Sequence, residues 1–240
     1  MSSKITAGTD AGDFKRGLFD GSSIGLGYFA VAAAFGMLAV GFGLSPFLAF
    51  LISVTNLTSA GQFAGLTLIG AGGSLMEIAA TVFIVNIRYV LMSLSLSQKL
   101  DGHFKLWQRL IAAHGVTDEM FMVASLQKGE LSFRYMLGLM TLPIIGWSSG
   151  TYLGAVVTNL LPHLVQDALG IALYGMFIAL IVPAVRKSWE ILMVVLASVG
   201  LSCLFFYVPQ LSGVSGGMAV IICTVVAAAL GAWLFPNKGW

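Results

Sequence analysis

Seven stretches of this chain run nearly uncharged through residues 22–42, 45–70, 74–96, 133–157, 165–185, 189–208 and 215–235. None alternates polar and apolar positions with a period of two, so none reads as a half-buried strand. About twenty apolar residues span a bilayer as a helix, and in lipid only helices and closed barrels satisfy the backbone. The pattern predicts an all-α polytopic membrane protein. It has about six full transmembrane helices, plus a broken or re-entrant helix pair near residues 45–70. The pattern predicts one membrane domain over the whole chain, 1–240. A polar segment, 1–21, precedes the first run. The one sizeable polar connection, 97–132, places Phe104, Trp107, Leu110 and Ile111 on one helical face, as in an amphipathic helix lying on a membrane surface.

The run 45–70 interrupts itself with SVTNLTSAGQF, residues 53–63, which is rich in Ser, Thr and Asn and holds no charge. A continuous helix with hydroxyls packed against its neighbours is one reading. The other is two half-helices meeting inside the membrane. There Ser, Thr and Asn bond the freed backbone groups and Gly61 permits a tight bend. Asn56-Leu57-Thr58 also matches a glycosylation sequon, which has no meaning at that depth.

Charge favours the broken arrangement. Of the twelve Lys and Arg residues, only Arg88 lies deep within an apolar run. If 45–70 enters and leaves by one face, the other eleven fall on a single side; if it crosses, they divide. Basic residues concentrate in cytoplasmic loops. This predicts cytoplasmic termini, a cytoplasmic 97–132 loop and an outer loop at 158–166. Composition agrees: 58% of residues are hydrophobic and 9% charged, against about 25% charged in a soluble domain. A short apolar stretch directly after a basic start, the mark of a cleavable leader, is not seen. Both cysteines, Cys203 and Cys223, fall in apolar runs and indicate neither a disulfide framework nor a metal site.

Candidate chemistry is sparse. On one continuous helix through 74–96, Glu77, Thr81, Arg88 and Ser95 project to one face and Asn86 to the opposite face. Charges within spans usually face a cavity or a partner. Glu77 and Arg88 are three turns apart, about 16 Å, too far to pair. Arg88 either serves a site or snorkels and bonds loose hairpin carbonyls. In HGVTDEMF, His114, Asp118 and Glu119 offer metal ligands or proton carriers, or Thr117 caps a helix whose first turn holds both acids. With three His and no HExxH, a metal site is not expected. Gly17, Gly21 and Gly25, like Gly146, Gly150 and Gly154, repeat every four residues and mark close-packing ridges. Gly72-Gly73 marks a turn.

The segments GLGYFAVAAAFG, SAGQFAG, GAGGSL, VNIRYVLMSLSL and GVTDEMF, in this order from about Phe14 to Ser125, resemble the AzlC/YgaZ-type family of branched-chain amino acid exporters. The family's hairpin element often runs closer to YAGAAQF; LTSAGQF here is richer in hydroxyls. The resemblance implies an efflux permease of a bacterial inner membrane. It implies branched-chain and related neutral amino acids such as methionine as cargo, proton coupling and a small AzlD/YgaH-type membrane subunit as partner. It implies no cofactor, no nucleic acid and no enzymatic activity. On physical grounds the substrate-binding candidates are Asn56, Thr58, Ser59, Gly61, Gln62, Asn86 and Arg88, and the proton-coupling candidates are Glu77, Asp118 and Glu119. The competing functions are a passive channel for small solutes and a membrane-embedded hydrolase using His114, Asp118 and Glu119. No GxxxxGK[ST] loop is present to bind a nucleotide.

Overall fold

In a computed structural model, residues 10–160, 188–211 and 213–236 are described, with 162, 164, 175, 178, 181–182 and 185–186. The expected span 165–185, and part of the outer loop 158–166, lie outside the described residues. Ten α-helices occur among the described residues: α1 (Asp10–Gly41), α2 (Pro46–Thr55), α3 (Ala60–Gly70), α4 (Leu75–Asn86), α5 (Arg88–Ser97), α6 (Leu106–His114), α7 (Asp118–Leu126), α8 (Phe133–Val157), α9 (Trp189–Tyr207) and α10 (Gly216–Leu234). The protein is an all-α polytopic membrane protein. Four of its described helices are long and apolar enough to cross a membrane: Gly12–Gly41, Leu75–Ser97 with a break inside it, Trp189–Tyr207 and Gly216–Leu234. Helix α1 begins well before the apolar run that predicted it, taking in much of the polar 10–21 segment.

Boundaries follow local chemistry. Ser45, Ser74, Ser132, Ser188 and Ser215 cap helix starts, each accepting a first-turn N–H through its hydroxyl. Pro46 follows its cap where a missing N–H costs nothing. The Gly72-Gly73 turn ends α3 as the sequence indicates. Gly72 takes φ +72°, and the Gly72 and Gly73 N–H groups bond back to Ile69 and Leu68.

The run 45–70 is broken, at residues 56–59. The bend differs from the expected one. Ser59, not Gly61, takes the left-handed conformation, with φ 47°, and Gly61 lies within α3. A short polar side chain tolerates that region better than a bulky one. Each half, ten and eleven residues long, measures about 15–17 Å, half a hydrocarbon core. A second break was not foreseen. The run 74–96 divides at Ile87, whose N–H reaches Ile84 at 3.4 Å before α5 begins. The stretch is thus two helices in sequence, α4 with Glu77 and α5 with Arg88.

The chain packs as two compact units, one comprising Met1–Ser59 and Arg88–Leu169, the other Ala60–Ile87 and Gly170–Trp240. The first is organised by α1 against α8. A Cβ at Gly17, Gly21, Gly36, Gly138, Gly146, Gly150 or Gly154 would collide with a carbonyl oxygen of the opposing helix. The glycine ridges thus meet backbone to backbone. Pro143 sits inside α8 and leaves the Leu139 carbonyl without a helical donor, at the point where Gly21 approaches. Helices α6 and α7 occupy the 97–132 connection. Trp107 and Phe104 stack edge-on against Phe133, while Trp107, Leu110 and Ile111 keep much of their surface exposed. Lys99 bonds the carbonyls of Ser125 and Gln127 at 2.6 Å and so closes the end of α7. In the second unit, α4 packs with α3 and α10, and α9 with α10.

Candidate functional site

The polar residues of the first unit gather at the start of α7. Thr117 is its N-cap, as expected, and accepts the Met120 N–H through its hydroxyl. Asp118 and Glu119 occupy the first turn, where the helix dipole favours negative charge. Each acid has a partner from another helix. Asp118 forms an ion pair with Arg88 of α5 at 2.9 Å. Glu119 accepts a short hydrogen bond from the Tyr28 hydroxyl of α1. Tyr28 has one hydrogen to give, so the 2.7 Å contact to Thr117 places Thr117's hydrogen on the Tyr28 oxygen. Burial outweighs Arg88 at Asp118 and holds its carboxyl above the usual aspartate range, with Glu119 adding in the same direction.

The helix break is part of the same unit. The Thr58 hydroxyl donates to Asn56 Oδ1 at 2.9 Å, and the Thr58 N–H returns to the Asn56 carbonyl. The Thr58 carbonyl, left outside any helix, accepts the Tyr89 hydroxyl at 3.2 Å. Tyr89 therefore bonds a loose carbonyl of the break, the task that one of the alternatives gave to Arg88. The Arg88 guanidinium lies over the Tyr89 ring, 5.2 Å from its centroid. Ser59 Oγ is buried without a hydrogen-bond partner among the described residues, as are Trp147 Nε1 and Ser148 Oγ of α8. Trp147 packs edge-on against Tyr28, centroids 5.3 Å apart. A buried donor or acceptor left unmade costs about 1–3 kcal/mol.

Of the residues expected from sequence, the structure therefore brings Asn56, Thr58 and Ser59 into one unit with Arg88, Asp118 and Glu119. Gly61, Gln62, Asn86 and Glu77 belong to the other unit. Gly61 and Gln62 are buried in the first turn of α3. Asn86 ends α4 with a buried, unpartnered Oδ1 among the described residues. Glu77 accepts the Gly217 N–H at 3.2 Å. The proposed acid–histidine cluster does not assemble. His114 is exposed on α6, Asp118 and Glu119 are each engaged elsewhere, and no metal-holding group forms among the described residues. Sequence reading missed Tyr28 and Tyr89. The available signal was a phenol within each of two apolar helices that also carry the site's other residues.

The sequence profile of the AzlC protein family matches residues 23–161, from α1 through the turn after α8. The chain belongs to the AzlC family. It is similar to an uncharacterized membrane protein of Archaeoglobus fulgidus, 33% identical over 175 residues, covering 72% of this chain and 76% of that protein. It is also similar to the inner membrane protein YgaZ of Escherichia coli K12, 29% identical over 182 residues, covering 73% and 74%. An uncharacterized membrane protein of Helicobacter pylori J99 is 28% identical over 171 residues, covering 69% and 73%. No solved structure matches. The matched region contains every residue of the α7 cluster. Membership of this family places the chain among membrane proteins of transporter type rather than among enzymes, and the hydrolase alternative falls with it.

Proposed function

We propose that the protein is the large subunit of a two-component permease that exports branched-chain and related neutral amino acids across a bacterial inner membrane, coupled to protons. The observation that carries the reading is the Arg88–Asp118 ion pair, part-exposed at side-chain accessibilities of 44% and 33%. A zwitterion offers this pair two complementary charges. Its carboxylate suits the planar fork of Arg88, and its ammonium suits Asp118. A carboxyl whose proton affinity is raised by burial is suited to alternate between holding an ammonium and holding a proton, which is the competition an antiporter needs. Asn56, Thr58 and Ser59 of the same unit supply hydrogen bonds to this cargo, and Gly61 and Gln62 of the second unit are further binding candidates. The N–H groups of a helix start favour a carboxylate. Asn86, Glu77 and Glu119 complete the proposed binding and coupling sets. The family resemblance supports the cargo class and the small AzlD/YgaH-type partner. The name of the E. coli relative supports the inner membrane, and the charge count supports cytoplasmic termini and six full spans.

The test is counterflow of labelled leucine, isoleucine, valine and methionine in proteoliposomes, with and without the small subunit. The expected result is saturable exchange whose export is accelerated by a proton gradient directed opposite to the cargo. Unsaturable flux indifferent to pH would identify a passive channel instead. Arg88→Lys should keep partial exchange and Arg88→Gln almost none, both at normal protein levels. Wild-type exchange by well-folded Arg88→Gln would remove the ion pair from the site.

A further inference from the structure

The second unit contains a cavity of about 650 Å³ walled by α3, α4 and the start of α10. Its lining combines apolar Ala64, Leu68 and Val220 with Glu77 and Thr81. One oxygen of the Glu77 carboxylate accepts the Gly217 N–H at 3.2 Å. Thr81 is 1% exposed, yet its Oγ1 has no hydrogen-bond partner among the described residues. These two oxygens converge: a Cβ placed on Gly217 would lie 2.8 Å from Glu77 Oε1 and 2.8 Å from Thr81 Oγ1. Glycine at 217 thus leaves room for both oxygens at the cavity wall. Among the described residues, no Lys or Arg lines it.

We propose that this cavity binds a small solute with a protonated primary amine and a short aliphatic tail. The amine brings charge to Glu77 and a hydrogen to the orphaned Thr81 oxygen, because an ammonium carries three donors and no acceptor. The tail lies on the apolar wall. A head group that is a carboxylate alone is repelled by Glu77, and a neutral one brings the acid no opposite charge. The volume is that of an ordinary small-molecule site and admits a five- or six-carbon solute with room for water. Both free aliphatic amines and aliphatic amino acids carry this chemistry. Glu77 is also a coupling candidate of the export reading, but the inference concerns binding to the second unit and not flux, so the two fail separately.

Isothermal titration of the purified full-length protein in detergent tests it, with 3-methylbutylamine, leucine and 3-methylbutanoate as probes. The amine binds and the carboxylate does not. Glu77→Gln weakens amine binding by about tenfold or more, the scale of a lost charge-assisted hydrogen bond. Thr81→Val weakens it severalfold, and Thr81→Ser restores it. The thermal midpoint of each variant separates loss of binding from loss of fold, and the Thr81 pair decides the matter if Glu77→Gln does not fold. Leucine binding that also depends on Glu77 assigns the cavity to amino acids; amine binding without leucine binding assigns it to simple amines. Equal binding of the carboxylate, undiminished amine binding by Glu77→Gln, or no amine binding by the wild type would overturn the proposal.

Discussion

The two units of the chain pack their helices in opposite ways. In the first, polar side chains pair across helices: Arg88 with Asp118, Tyr28 with Thr117 and Glu119, Ser53 with Thr151, and Tyr135 with Asp20. Its helices α1 and α8 meet main chain to main chain. In the second, α9 has no buried residue, and the tight approach at Gly231 is to a side-chain methyl of Val194. Both units hold unpartnered buried atoms among the described residues, Ser59, Trp147 and Ser148 in the first and Thr81 and Asn86 in the second, so the difference lies in what meets across the helices: fixed backbone in one, rotatable side chains in the other.

The same substitution in both units tests this contrast most severely. Gly36→Ala drives a methyl into the Thr151 carbonyl, with the Ala155 nitrogen 2.8 Å away. Neither backbone atom can rotate aside, so a loss of about 3 kcal/mol, the upper range for overpacking, is expected. Gly231→Ala meets only a methyl and should cost about 1 kcal/mol or less. Thermal midpoints in detergent measure both; equal losses would break the contrast. Tyr28→Phe removes two buried hydrogen bonds, one to a carboxylate, and should cost about 2 kcal/mol by the same assay.

Ser59 sharpens the comparison at a finer scale. Its left-handed φ means that Ser59→Val adds strain of about 1–2 kcal/mol, whereas Ser59→Gly removes the hydroxyl without strain. If the hydroxyl contacts cargo, Ser59→Gly raises the half-saturating concentration in the exchange assay at unchanged stability. The smallest effect is the pH response of Asp118. Its carboxyl binds a proton more tightly folded than unfolded. Its contribution is therefore fully present below the ordinary aspartate range and is lost as pH rises through the raised folded value. Asp118→Asn should flatten that decline in midpoint against pH; an unchanged slope would assign the decline to other groups.

Much of this was legible in the sequence because it is local. The apolar runs gave most helices, the Ser caps and Gly72-Gly73 gave ends, and four-residue glycine spacing gave the close-packing ridges of the α1–α8 seam. The break in SVTNLTSAGQF showed through its hydroxyls, although its left-handed residue did not, because Ser59 is not a residue that demands φ > 0. The division at Ile87 was hidden, since VNIRY holds neither Gly nor Pro. The partners of Arg88, Glu119 and Thr58 lie about thirty to ninety positions away along the chain. No spacing rule links residues that only tertiary packing brings together.

The seam of α1 and α8 has a mechanical consequence. Glycines set four apart on both helices form teeth and gaps rather than a smooth track. Four residues advance a helix by about 6 Å. Sliding by a fraction of that distance would press carbonyl oxygens into neighbouring backbone at every tooth together. The pair is thus a locked spline: free to travel only by whole notches, and stationary under any smaller push.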